Sequence, residues 1–342
     1  MRVLTLPMSS SSHDNPFGEL FMRYVGQECE LITFTWRRAL FDHYDAVHFH
    51  WPEALFTGGF VINLRNVMLL CVLAMMNKWR GVPHIETIHN LRPHQPRTST
   101  ARLGLAIWQR TVYVRIFMAA TPRVDVDMWP NVFLPHGDYR PIIHPYDVSD
   151  AKSSERVLLF GHLRRYKDIE RLMNAWADSD VTLPKLLVVG RAETDSYLHA
   201  LESISARTAD RVQLRSESLP TTELLRLIKT SSAVVLPYPN FYNSGAAILA
   251  LSLDVPVVLS RSSASEGLAA EVGQAWVQLL PTAWDASALR KCLEELEARA
   301  HERDHAPLSD ARNWVRLAEA HARVYAKATV LKKGKRSWWS SR

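Results

Sequence analysis

The stretch Phe160-Gly161-His162-Leu163-Arg164-Arg165-Tyr166-Lys167 joins a buried strand to a helix through a basic loop, and few folds accept that order of elements. Upstream, Val157, Leu158, Leu159 and Phe160 form a short apolar run of strand character, and Gly161 stands where the backbone must turn. Downstream, Ile169, Leu172, Met173 and Trp176 recur at helical spacing, which leaves Arg164, Arg165 and Lys167 in the loop between. Such a loop lies at the carboxyl edge of a parallel sheet, where open α/β folds bind ligands. A second stretch repeats the pattern. Residues 233–237 read as a strand, Pro237-Tyr238 and Tyr242-Asn243 as a turn, and Ser244-Gly245 as the opening of an apolar helix over 246–253. Free N–H groups and the positive end of a helix dipole would face an anion there. Taken singly, a basic turn is a solvated loop and a Ser-Gly start is an N-cap. Taken together, two cations and an amide-rich helix start make a diphosphate cradle.

The elements between the two stretches support that reading. Residues 185–190 form a strand ending in Gly190, a helix follows over 194–206, Val212-Gln213-Leu214 is a strand, and Thr221-Thr222-Glu223 is a capping signal for the next helix. Another buried strand follows at 255–260. This run of βα units predicts a doubly wound α/β sheet. The amino-terminal half has the same form in a looser pattern: strands at 2–6, 31–34, 46–51 and 84–89, a first helix over 16–25 and a long helical stretch that includes 67–76. A chain of 342 residues accommodates two such domains, expected at 1–150 and 151–308, joined by a solvated linker near 146–155. Helices around 309–330 would cross back to the first domain, leaving a basic tail at 331–342.

The segments "LLFGHLRRYKDIERL", "LLVVG" and "AVVLPYPNFYNSGAAILALSLDVPVVLS", spanning residues 155–262, resemble the carboxyl-terminal half of GT-B glycosyltransferases of the glycosyltransferase 4-like superfamily. The resemblance implies two Rossmann-like domains facing a cleft. It also implies that Arg164 and Lys167 contact the donor diphosphate and that Gly161, Tyr242, Asn243, Ser244 and Gly245 complete the donor site. Many retaining members carry a pair of glutamates, the second on the helix that begins at the phosphate site. Here Phe241 and Leu249 occupy those positions, so ribose and base recognition must use other groups. In this the chain is similar to xanthan-type β-mannosyltransferases, which implies an inverting transfer, with GDP-mannose as donor and a lipid-linked glycan as acceptor in bacterial exopolysaccharide or cell-envelope glycan synthesis. The nucleotide sugar is a co-substrate, so no cofactor is expected. A retaining transferase or a sugar-nucleotide epimerase would share the cradle, and a non-catalytic sugar-nucleotide-binding membrane scaffold would keep it without the acids.

An inverting transfer needs a base for the acceptor hydroxyl, and a carboxylate or imidazole tuned near neutrality serves. In the amino-terminal domain His50, Glu53, His89 and His94 stand at or just beyond predicted strand ends. Glu53 is the first candidate base and His89 the second, because the resemblance sets a histidine at that strand end beside the donor sugar. Asp14, Asn15, His50 and His94 are candidates for acceptor contact. With 14 histidines in the chain, any one of them is more often a structural hydrogen-bonder. Asp125-Val126-Asp127 has the form of a metal-binding Asp-x-Asp, but Arg164 and Lys167 already neutralise the leaving diphosphate, so the pair reads as structural and no metal is called for.

Three scattered cysteines, Cys29, Cys71 and Cys292, suggest neither a disulfide framework nor a zinc site, which suits a cytoplasmic protein. The first residues read as a strand rather than a signal peptide. The net charge of +6 gathers at the carboxyl end, where Lys332, Lys333, Lys335 and Arg336 accompany Trp338 and Trp339. This composition suits a peripheral anchor at the inner face of the cell membrane rather than a nucleic-acid tail. The apolar run 67–76, with Trp79 and Arg80 after it, reads chiefly as a buried core helix and secondarily as another membrane contact.

Overall fold

The computed structural model describes residues 1–6, 16–90, 98–119, 128–146, 153–177, 183–208 and 210–340, with backbone alone for 153–155 and 334–340. In chain order the first elements are β1 (Arg2–Thr5), α1 (Phe17–Glu28), β2 (Glu30–Thr33), α2 (Trp36–Phe41), β3 (Ala46–Phe49), α3 (Phe60–Arg80), β4 (His84–Ile88), α4 (Ser99–Thr111), β5 (Val112–Phe117) and β6 (Asn131–Phe133). There follow α5 (Arg140–Ile143), β7 (Ser153–Phe160), α6 (Ile169–Ala177), β8 (Lys185–Val189), α7 (Asp195–Ser205), β9 (Val212–Arg215) and α8 (Thr221–Lys229). The remainder is β10 (Ser231–Leu236), α9 (Gly245–Ser252), β11 (Val257–Ser260), α10 (Ser263–Val272), β12 (Val277–Leu280), α11 (Ala286–Ala298) and α12 (Trp314–Ser340). The expected strand over 255–260 begins at Val257, and Ser153 already belongs to β7.

These elements form two compact units. The second is His136–Asp310, and the first holds β1 to β6 together with the segment from Ala311 onward. In the first unit the strand order is β2-β1-β3-β4-β5-β6, with every pairing parallel. In the second it is β12-β11-β10-β7-β8-β9, again all parallel. Strands covered on both faces read as unbroken apolar runs, and Val234-Val235-Leu236 and Val257-Val258-Leu259 are fully buried examples. The order in which successive strands are added reverses between β1 and β3 in one sheet and between β7 and β10 in the other, and such switch points are where doubly wound sheets take ligands.

The core of the second unit gathers Ile169, Leu172, Met173 and Trp176 of α6 against Val157 and Leu159 of β7, as their spacing predicts. The start of α8 differs from expectation. Pro220 is its N-cap and no side chain caps it, while Glu223 turns instead to Arg215, at 2.8 Å. At the carboxyl end, α12 packs along α1 within the first unit and buries Trp314, Leu317, His321 and Tyr325. Its backbone stays helical through Ser340, so the basic run beyond residue 331 continues a helix rather than forming a separate tail.

The first unit has an unusually polar interior. Glu86 of β4 is 5% exposed, and its carboxylate accepts hydrogen bonds from Trp108 Nε1 and Gln109 Nε2, each at 3.0 Å. Burial pushes its pKa up from 4.5 to about 7. Between those values the folded protein holds a proton that the unfolded chain has released, so Glu86 makes stability fall as pH rises through this window. The whole shift amounts to about 3 kcal/mol. Glu86→Gln is expected to remove this slope, and denaturant titrations of both proteins at pH 5 and pH 8 measure it. Equal pH dependence in the two proteins would contradict the assignment.

Candidate functional site

In the second unit the loops after β7 and β10 leave the switch point side by side. Gly161 has φ +93° and Gly190 φ +149°, and a Cβ at residue 190 would stand 2.1 Å from the Gly161 carbonyl oxygen. Only glycine permits that approach of the two strand ends. A single 3₁₀ turn, Arg165–Lys167, then delivers the chain to α6. It divides the three cations by task. The Arg165 backbone N–H donates to Glu193 at 3.1 Å, and its guanidinium bonds Glu170 at 3.1 Å and lies 4.7 Å over the Tyr197 ring, so Arg165 braces the loop. Arg164 is half-buried.

Lys167 turns inward and is 9% exposed, with Nζ 5.0 Å from the centroid of Tyr238. Burial, with a smaller push from Arg164, lowers its pKa to about 8. Among the described residues no carboxylate forms an ion pair with it, and the buried Tyr238 hydroxyl beneath it also has no hydrogen-bond partner. A buried cation beside an unsatisfied hydroxyl is costly unless an anion compensates both.

The start of α9 supplies further donors. Ser244 Oγ accepts from the Ala247 N–H at 3.3 Å, and the Gly245 and Ala246 amides of the first turn have no intrahelical acceptor. A Cβ at Gly245 would come within 2.9 Å of Tyr139 Oη and 3.7 Å of His136 Nε2. Tyr139 is held by its own N–H, which donates to Ser252 Oγ at 3.0 Å, and its hydroxyl is 3.3 Å from His136 Nε2. The buried Asp138 lies between them in sequence, with Oδ1 accepting from the Arg140 N–H at 3.2 Å. His136, Asp138 and Tyr139 are additions that sequence reasoning did not make. The available signal was the density of polar and aromatic residues in "PHGDYRP", which read only as an approach to the linker. Tyr242 is buried and Asn243 half-buried in the turn before α9, and Phe241 and Leu249 are buried apolar side chains.

In the first unit a cluster of imidazoles and aromatic rings stands at the ends of β3 and β4. His50 Nδ1 and His89 Nε2 are 2.9 Å apart, and the His89 ring stacks on Trp51 at 4.2 Å and 23°. Phe17 meets both imidazoles, at 5.5 Å and 5.1 Å between ring centres. Behind them His48 bonds Tyr325 Oη at 2.7 Å and Thr87 Oγ1 at 2.8 Å. Burial first, and then the neighbouring imidazoles, hold His48 and His50 well below the ordinary histidine range. Both are therefore neutral at pH 7.

His50 is 2% exposed and its Nε2 has no hydrogen-bond partner among the described residues. His89 is half-buried at the mouth of the cluster. Glu53 sits on the 3₁₀ turn Pro52–Phe56 directly after β3, half-buried, and desolvation raises its pKa. The β1/β3 switch point thus brings His50 and Glu53 to one sheet edge, with His89 just past the end of the adjacent strand. Asp14, Asn15, His94, Asp125 and Asp127 lie outside the described residues.

Two all-parallel sheets of these orders, each with chemistry-bearing loops at its switch point, have the architecture of the GT-B fold. Over the full length of both chains this protein superposes on Anabaena Alr3699/HepE, solved in complex with UDP, with a TM-score of 0.57 at 13% identity. With WaaG, a glycosyltransferase involved in lipopolysaccharide biosynthesis, the TM-score is 0.59 at 14% identity over 95% of this chain and 99% of that one. No protein-family profile matches the chain. It is 32% identical over 327 residues, 95% of its length and 92% of the relative's, to the GDP-mannose:glycolipid 4-beta-D-mannosyltransferase of Xanthomonas campestris pv. campestris. The chain belongs to the glycosyltransferase family of that enzyme.

Proposed function

We propose that this protein transfers mannose from GDP-mannose to the hydroxyl of a lipid-linked glycan, with inversion at the anomeric carbon. The observation that carries the reading is Lys167 at the β7/β10 switch point, buried and without an ion-pair partner among the described residues, in a chain 32% identical to a mannosyltransferase of that specificity. GDP-mannose holds its sugar in the α configuration, and the relative's name gives a β product, so a single displacement accounts for the stereochemistry.

In this reading Arg164, Lys167 and the α9 amides at Gly245 and Ala246 hold the diphosphate, with Gly161 allowing close approach and Tyr242, Asn243 and Ser244 shaping the turn. Charge that builds on the leaving GDP is met by fixed donors. The acceptor hydroxyl oxygen bonds to C1 of mannose, the bond from C1 to the diphosphate oxygen breaks, and the hydroxyl proton passes to a base. Glu53 is that base, since desolvation lifts its basicity. His89, braced by His50 and Trp51, is the alternative at the same sheet edge. His50, buried behind it, would act on the acceptor through His89, and Asp14, Asn15 and His94 remain the proposed acceptor contacts. The acceptor's lipid calls for peripheral attachment at the inner face of the cell membrane, to which the basic, Trp-containing run at 331–342 would contribute.

The test is incubation of the purified protein with a panel of radiolabelled nucleotide sugars and bacterial membrane extract. Label from GDP-mannose is expected in the lipid fraction, in an alkali-stable β linkage. Interconversion of donors without transfer would make the protein an epimerase, and binding without turnover a scaffold.

A further inference from the structure

α3 is apolar on two opposite sides. The side facing the sheet carries three asparagines beside Val67, Leu70 and Leu73. Asn63 Nδ2 donates to the Gly58 carbonyl at 2.8 Å, Asn66 Nδ2 to the Leu55 carbonyl at 2.6 Å, and Asn77 Nδ2 bonds His84 Nε2 at 2.9 Å. The opposite side carries Val61, Leu64, Met68, Val72, Met75 and Trp79, in register along the helix and from 39% to 76% exposed. This corrects the expectation of a buried core helix over 67–76: only every third or fourth residue of that run faces the core. Phe60 at the amino end of α3 and Phe41 on the adjoining α2 extend the patch, at 63% and 79% exposed. A face about 30 Å long on a helix of 21 residues is larger than soluble monomers leave uncovered without a use.

The charges beside it choose the occupant. Arg37, Arg38, Arg65, Lys78 and Arg102 are exposed on α2, α3 and α4, and these three helices contain no Asp or Glu. A second copy of this chain on the same face would bring like charges together, whereas an anionic surface neutralises them. By length and composition α3 could cross a membrane, but its three bonded asparagines fix one side inside the unit, so it can only lie flat. We propose that the outer face of α3 is a membrane-docking surface. It is seated in the interfacial plane of an anionic lipid bilayer, with Trp79 at the headgroup level and the rim cations on phosphates. That this bilayer carries the acceptor rests on the glycolipid reading; the exposed face, its charges and the anionic surface they select do not.

The experiment is co-sedimentation of the full chain with vesicles of phosphatidylcholine, alone or mixed with phosphatidylglycerol, at low and high salt. Binding is expected to the mixed vesicles and to weaken with salt. The variant L64S/M68S/M75S/W79S should lower the partition coefficient by at least about 100-fold, from the apolar area lost. Its GDP affinity should be unchanged, and truncation after residue 330 should keep most of the vesicle binding. Unchanged sedimentation of the four-serine variant overturns the proposal. So does binding that vanishes with the truncation alone, or concentration-dependent self-association of the parent chain without vesicle binding. Should circular dichroism show the four-serine variant misfolded, Met68→Glu at the centre of the face decides on the same readout. Vesicle binding without mannosyl transfer would sink the proposed function and leave this face standing. Transfer to a detergent-dispersed acceptor with vesicle binding unaffected by the substitutions would do the reverse.

Discussion

Lys167→Ala should abolish most donor recognition, lowering kcat/KM for transfer by about 100-fold to 1000-fold, with GDP affinity reduced in parallel. The expectation follows from an ammonium that is buried, unpaired among the described residues and close to a helix start. The pH dependence separates this from mere damage to the loop. With its pKa lowered to about 8, the free protein's Lys167 loses charge as pH rises past that value, and bound diphosphate draws the proton back. GDP affinity should therefore be flat below pH 8 and fall above it by up to about tenfold per unit, with proton uptake on binding. Calorimetry in buffers of different ionisation enthalpy measures the uptake. Lys167→Arg should move the fall to higher pH. If Lys167→Ala binds GDP as tightly as the parent chain, the cradle is wrongly assigned.

Glu53→Gln should lower kcat by about 100-fold to 10,000-fold while leaving the KM for GDP-mannose nearly unchanged, since the amide keeps the shape and cannot take a proton. His89→Ala serves as the comparison. As a positioning partner of the same sheet edge it should cost less and leave the shape of the pH–rate profile intact. A reversal of the two results, with Glu53→Gln active and His89→Ala inactive with an altered pH profile, would give the role of base to the imidazole. Single-turnover measurements keep product release from masking either outcome.

The donor side was legible in the sequence because local patterns bracket it. An apolar run, a glycine and a helical repeat locate Arg164, Arg165 and Lys167 in one loop without any tertiary information. Which of the three turns inward was not legible. That is decided by Glu193 and Glu170, which hold Arg165 on the outside. His136 and Tyr139 stayed hidden for a related reason: they meet Gly245 across a chain separation that no periodicity records. The run 67–76 of α3 read chiefly as a core helix because both of its sides are apolar. Three asparagines find partners in the preceding turn, the neighbouring loop and β4 and share the core side with Val67, Leu70 and Leu73, so apolar residues lie on both sides of the helix and periodicity does not tell inside from outside.

The hydrogen bond between His48 and Tyr325 has a consequence for biosynthesis. The chain leaves the ribosome amino end first, and domains generally fold as they emerge. Here the earlier half cannot complete its interior until the last helix has been made, so a nascent chain stopped near residue 310 would hold a finished second unit and an open first one. The order of assembly would thus run opposite to the order of translation.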